Sequence, residues 1–249
     1  MTTRIKTNLT GIPLILLSSA MAAPSVHGEE SIDPSDITNT YTYLWSEVGN
    51  RDYKFSVGLA SDIASKYNIL GLVEHTRTWD QGDAEVNNTS RVRFYGVRNL
   101  EGDLLRGIGT SVDYIKGHDS KMDITALGVI GKLNSFSENL SLAPNVGYVS
   151  VEHKMGGVKK EKSEGYQAYV LASVVLGEDG RYLSFQPEYI DTKNIDADKL
   201  EVIYNQPVDS AQKWWINVTG FYQKTKIDYA GFKKSDTEEH IKLGVTYYL

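Results

Sequence analysis

The sequence predicts an all-β fold, a transmembrane antiparallel up-and-down β-barrel of twelve strands. Three observations predict it. Period-2 alternation recurs from Thr40 to the C-terminus, and helical periodicity persists nowhere. The alternating segments number twelve, and most run about 8 to 12 residues, near the ~9 to 11 that a tilted membrane strand needs. The chain also closes on a regular segment, His240 to Leu249, with Ile241, Leu243, Val245, Tyr247 and Leu249 on one face. Terminal residues of soluble domains usually fray, so a sheet that needs its last strand is indicated.

Residues 1–22 read as a secretory signal. Arg4 and Lys6 form its positive start, Gly11 to Ala20 its apolar stretch and Ala20-Met21-Ala22 a small-x-small cleavage site. The apolar run is about half the ~20 residues of a spanning helix. Residues 23–39, with two Pro and the acids Glu29, Glu30, Asp33 and Asp36, read as a flexible N-terminal lead, and 40–249 as the barrel. The expected strands are Thr40 to Glu47, Asp52 to Ala60, Asn68 to Thr76, Arg91 to Arg98, Leu104 to Ile115 and Met122 to Leu133. Leu140 to His153, Tyr166 to Gly177, Arg181 to Ile190, Lys199 to Asn205, Lys213 to Lys224 and His240 to Leu249 complete the set. An even count lets both termini share one side, as in single-chain bacterial barrels.

Connector lengths alternate. With the N-terminus on the periplasmic side, the connections there are short, while Arg77 to Ser90, Lys154 to Gly165 and Thr225 to Glu239 on the other side are the three longest. Outer-membrane barrels have this asymmetry. Apolar rows include Tyr41, Tyr43 and Trp45; Tyr53, Phe55, Val57 and Leu59; Val92 and Phe94; and Trp214, Ile216 and Val218. Tyr114, Tyr189, Trp214 and Tyr247, near strand ends, suit an interfacial girdle.

Bulk composition narrows the function. Removal of Arg4 and Lys6 with the signal takes the formal charge from −6 to −8, which disfavours nucleic acid as a partner. Cys is absent, so neither a disulfide framework nor a thiolate metal site exists. No His or carboxylate set repeats at ligand spacing, so neither a metal nor another cofactor is expected. Ser90 and Ser150 lie near the expected outer rim with His75 and His153, but no local motif joins nucleophile, base and orienting group, and an enzyme is not expected.

The charges on the presumed inner faces are more informative. Strand direction places Lys54, Arg91, Arg93, His240 and Lys242 in one basic sector of the outer half, with Glu74, Asp113, Glu188 and Glu201 at similar height. Glu74 fits between Lys54 and the Arg91/Arg93 pair as a cross-strand ladder. Two readings follow: paired charges that stiffen the wall, or a field across a narrow lumen that selects solutes. Lys154, Lys159, Lys160 and Lys162, with Lys233 and Lys234, would concentrate anions at the mouth, diluted by neighbouring acids.

Two resemblances extend this reading. Lys242, Gly244, Tyr247 and Leu249 are spaced as in the C-terminal assembly signal of bacterial outer-membrane barrels, which most often ends in Phe. Gly165-Tyr166, the Gly177-Glu178-Asp179-Gly180 turn, Lys213-Trp214-Trp215 and the Ile241 to Leu249 strand resemble the small monomeric porins of the oligogalacturonate-specific family, which includes sialic-acid channels. That resemblance implies a porin of the Gram-negative outer membrane, inserted by the barrel assembly machinery and surrounded by outer-membrane lipid. It implies passive diffusion of acidic sugars or oligosaccharides along lumenal Arg and Lys. The inner faces here carry about as many acids as bases, so small hydrophilic or anionic solutes are expected more broadly, with Lys54, Arg91, Arg93 and Lys242 touching an anionic one. A hydrolase at the extracellular rim and a surface adhesin are the alternatives.

Overall fold

The computed structural model describes residues 41–63, 66–79, 88–134, 137, 139–153, 161–229 and 232–249, and they form twelve strands without a helix. The signal at 1–22 and the lead at 23–39 lie outside the described residues. The strands are β1 (Tyr43–Gly49), β2 (Asp52–Ile63), β3 (Tyr67–Thr78), β4 (Asn88–Asn99), β5 (Leu105–Gly117) and β6 (Met122–Leu133). They continue as β7 (Leu140–His153), β8 (Glu161–Val175), β9 (Tyr182–Thr192), β10 (Ile195–Pro207), β11 (Trp214–Tyr229) and β12 (Phe232–Tyr248). Each pairs antiparallel with its sequence neighbours, and β12 pairs with β1 from Tyr43↔Tyr248 to Gly49↔Lys242, which closes the barrel. Closure satisfies the backbone groups that an open sheet would leave bare in lipid.

Strand extents differ from expectation at the end far from the termini. The segment expected as the loop Thr225 to Glu239 is mostly ladder, with Thr225↔Asp236, Ile227↔Lys234 and Tyr229↔Phe232 paired. Charge there alternates with charge, so hydrophobic period-2 contrast vanishes while the ladder continues. Cross-strand pairs such as Lys233 Nζ to Asp228 Oδ2 at 2.8 Å support it. β8 likewise starts at Glu161 and β10 at Ile195, leaving only Lys193 and Asn194 between β9 and β10. Asymmetry between the two ends therefore lies largely in strand length rather than loop length.

The outer face is apolar. Phe55, Val73, Leu127, Val146, Ile241 and Leu243 are all exposed on it. Trp214 stacks on Tyr247 with ring centroids 4.5 Å apart near the termini, and Tyr166 meets Tyr189 at 6.1 Å toward the other end. One row differs from expectation. In β1 it is Leu44 and Val48 that are exposed, while Tyr43 and Trp45 turn inward with Glu47. They do so because the barrel interior at the termini end is itself aromatic.

Three apolar clusters fill parts of that interior. Tyr182, Trp215 and Tyr248, with Tyr41 and Tyr43, close the termini end. Tyr95, Val97, Ile130, Ala143 and Tyr169 pack between β4 and β8. Ala126, Val149, Val151 and Ile195 form the third, toward the far end. Glycine is needed where Gly180 turns between β8 and β9 at φ +83°, and where a Cβ on Gly165 would collide with the Asp191 carbonyl.

Candidate solute pathway

Alternation fixes what enters the lumen. Even positions of β2 and β12 face inward, as do odd positions of β4, β5, β8 and β10, and buried side chains there include Lys54, Arg93, Lys242, Asp113 and Gln167. A charge shielded from water must be paired. Here the pairing runs from strand to strand. Lys54 Nζ lies 2.8 Å from Glu47 Oε2 and 3.8 Å from Glu74 Oε1, and Arg91 Nε lies 3.9 Å from Glu74 Oε2. Arg91 and Arg93 both donate to Asp113, the latter from Nη2 at 2.9 Å and Nε at 3.0 Å. Lys242 reaches Asp52 at 2.9 Å. On the facing wall Lys199 lies 3.5 Å from Glu188 and 3.9 Å from Glu201, and Gln167 donates to Glu188.

The packing is close. Glu47 is 1% exposed, Arg93 5% and Lys54 8%. Lys54 Nζ sits 3.7 Å from the centroid of Trp45, and the Arg93 guanidinium 5.5 Å from that of Tyr169. Tyr169 donates across the lumen to the Tyr95 hydroxyl at 3.3 Å.

Beside this network lies a cavity of about 210 Å³. Trp45, Lys54, Glu74, Arg91 and Arg93 line one side, and Gln186, Lys199 and Glu201 the other, with Tyr43, Tyr182 and Tyr248 toward the termini. No lining residue comes from β5, β6 or β7, so the cavity is off-centre. The Trp45 Nε1 and Gln186 Nε2 donors in its wall are buried and have no partner.

All eight residues named from sequence as pore-lining, Lys54, Glu74, Arg91, Arg93, Asp113, Glu188, Glu201 and Lys242, belong to these ion-pair networks. The single basic sector does not exist as expected. Glu47 and Asp52 stand between Lys54 and Lys242, so the paired groups comprise five cations and six carboxylates. Sequence reasoning passed over Glu47, Asp52 and Lys199. Parity was the available signal: Glu47 shares a face with Tyr43 and Trp45, Asp52 with Lys54, and Lys199 with Glu201. At the far end Lys154, Lys159 and Lys160 lie outside the described residues, while Lys162, Lys233 and Lys234 each pair with an acid.

The structure also brings Ser90 to His75. Its Oγ lies 3.1 Å from His75 Nδ1 and 2.9 Å from His118 Nε2, on the outside of the barrel. Ser150 and His153 fall on opposite faces of β7 by strand alternation. Among the described residues no group of three His, Cys, Asp or Glu is arranged to hold a metal.

No family model matches the chain, and no curated protein matches it. Among solved structures, the KdgM porin is similar at 13% identity and a TM-score of 0.51, covering 84% of this chain and 98% of that one. The KdgM porin in complex with disordered oligogalacturonate is similar at 14% identity and 0.48, covering 84% and 98%, and the NanC porin at 11% and 0.47, covering 85% and 100%. The likeness is one of fold: the chain has the barrel of an outer-membrane porin.

Proposed function

We propose that the protein is a monomeric outer-membrane channel for passive diffusion of small hydrophilic solutes, inserted by the barrel assembly machinery, and not an enzyme. The observation that carries this reading is the off-centre cavity, lined by paired charges as well as by aromatic and aliphatic side chains, inside a closed wall whose outer face is apolar. A lumen-filling soluble barrel has no use for so many ionised interior groups. The indole N–H of Trp45 and the side-chain amide of Gln186, which have no partner among the described residues, suit passing hydroxyl or water oxygens.

Acidic sugars and oligosaccharides are the narrower candidates, on the strength of Arg91 and Arg93 sharing the one carboxylate of Asp113. Five cations facing six carboxylates argue that any anion preference is small. Planar-bilayer conductance of the refolded protein tests the channel, and a correctly folded barrel that passes no current sinks it. Reversal potential in a salt gradient tests selectivity. With Lys54, Arg93 and Lys242 each changed to Ala, preference should move toward cations, and an unchanged potential would make these residues purely structural.

A further inference from the structure

The outer face of β3, β4 and β5 changes character within two residues. One row of cross-strand neighbours is Val73, Val92 and Tyr114, all apolar or aromatic and exposed. The next row toward the far end is His75, Ser90 and Lys116, and beyond it stand Arg77, Asn88 and His118. His75, Arg77, Lys116 and His118 are all exposed. Two permanent cations and two imidazoles therefore ring one hydroxyl where the apolar belt ends. The Ser90 hydroxyl bridges the imidazoles, whose ring centroids are 6.3 Å apart.

The nearby carboxylates form no ion pair with the cluster among the described residues. Asp119 accepts from the Asn88 backbone N–H at 2.8 Å and from its side-chain amide at 2.7 Å. Asp123 stands opposite Lys116 in the β5–β6 register, yet among the described residues neither acid forms an ion pair with the cluster. Nor does a carboxylate hold either imidazole in a catalytic orientation among those residues, which a serine nucleophile would need.

We infer that this cluster binds the phosphate of an outer-leaflet lipid headgroup, an inference that rests on the membrane placement proposed above. Arg77 offers a planar fork that matches phosphate oxygens, Lys116 a point charge, and Ser90 and the imidazoles short-range donors. The acyl chains of the same lipid then lie along Val73, Val92 and Tyr114. An anion with no apolar tail would gain only half of this surface.

Native mass spectrometry of the refolded full chain in detergent tests the site, with dioleoyl phosphatidic acid as probe and dioleoylglycerol and inorganic phosphate as comparisons. One phosphatidic acid should be retained in preference to dioleoylglycerol. Changing Arg77→Ala with Lys116→Ala should weaken retention by about tenfold or more, given what each basic residue contributes at an anionic membrane surface. His75→Gln with His118→Gln should weaken it too, while Lys226→Ala with Lys234→Ala, on β11 and β12, should not. Heat-modified gel mobility confirms that each variant is folded. Equal retention of dioleoylglycerol, unchanged retention by both cluster variants, or inorganic phosphate binding as tightly as the lipid overturns the site. Release of fatty acid from the probe would make Ser90 a nucleophile and overturn it as well. Loss of selective retention with conductance intact removes this site alone; recovery of the barrel in detergent-free solution removes the membrane reading beneath it.

Discussion

From β1 to β5 the inward positions carry Glu47, Asp52, Lys54, Glu74, Arg91, Arg93 and Asp113, joined strand to strand by ion pairs. On β6 and β7 they carry Ala126, Ile130, Ala143, Val149 and Val151, all buried, and the cavity does not touch them. The same closed sheet thus has one wall held by charge and one held by packing. The difference teaches where room for a solute comes from. Apolar side chains fill the space in front of them, whereas paired charges are kept at the wall by their partners and leave the space beyond them open.

The sharpest way to break the charged wall is Asp113→Ala. It leaves two guanidiniums facing each other without their shared carboxylate, and should destabilise the folded barrel by about 3 to 5 kcal/mol, read from the urea midpoint in lipid vesicles. The packed wall should yield less. Val149→Ala removes two buried methyl groups from the β6–β7 cluster and should cost about 2 kcal/mol while leaving ion selectivity unchanged. If selectivity moved instead, the packed wall would belong to the solute path after all.

Where the walls meet, Tyr169→Phe deletes the hydroxyl that reaches Tyr95 across the lumen. Its expected cost is about 1 kcal/mol, with single-channel conductance unchanged or slightly raised. The smallest effect lies outside both walls, in the turn between β8 and β9. The Arg181 guanidinium beside Asp179, at 2.8 Å, holds its carboxyl below the usual carboxylate range. A depressed folded-state value stabilises above the unfolded value and loses that contribution as pH falls through the folded one. Arg181→Gln should therefore lower the midpoint slightly at pH near 7 and not at all once Asp179 is protonated, which a pH series of midpoints checks.

Strand number, closure and the inward parity of Lys54, Glu74, Arg93 and Asp113 were legible because a strand has a period of two and one of its faces here is apolar. Parity failed in β1 because Tyr and Trp suit an interface and a lumen equally well, so Tyr43 and Trp45 looked outward while Leu44 and Val48 were overlooked. That slip also hid Glu47, and with it the balance of charge. The far ends of β8, β10, β11 and β12 were illegible for a different reason: with water on both faces, a strand needs no hydrophobic alternation. Tyr95, which lines the off-centre cavity, meets Tyr169, 74 positions away, and no local pattern encodes that contact.

The extension of β11 and β12 has its own consequence. β12 pairs with β1 only as far as Lys242, and the Asn50 N–H reaches the Ile241 carbonyl, so the run from Phe232 to His240 is hydrogen-bonded to β11 on one side and unpaired on the other among the described residues. Such an edge is a template for a foreign strand, and unprotected it would recruit neighbouring chains into a fibre. Lys233, Lys234, Asp236, Glu238 and Glu239 stand along it as gatekeepers, so that any strand seeking to dock must first bury charge.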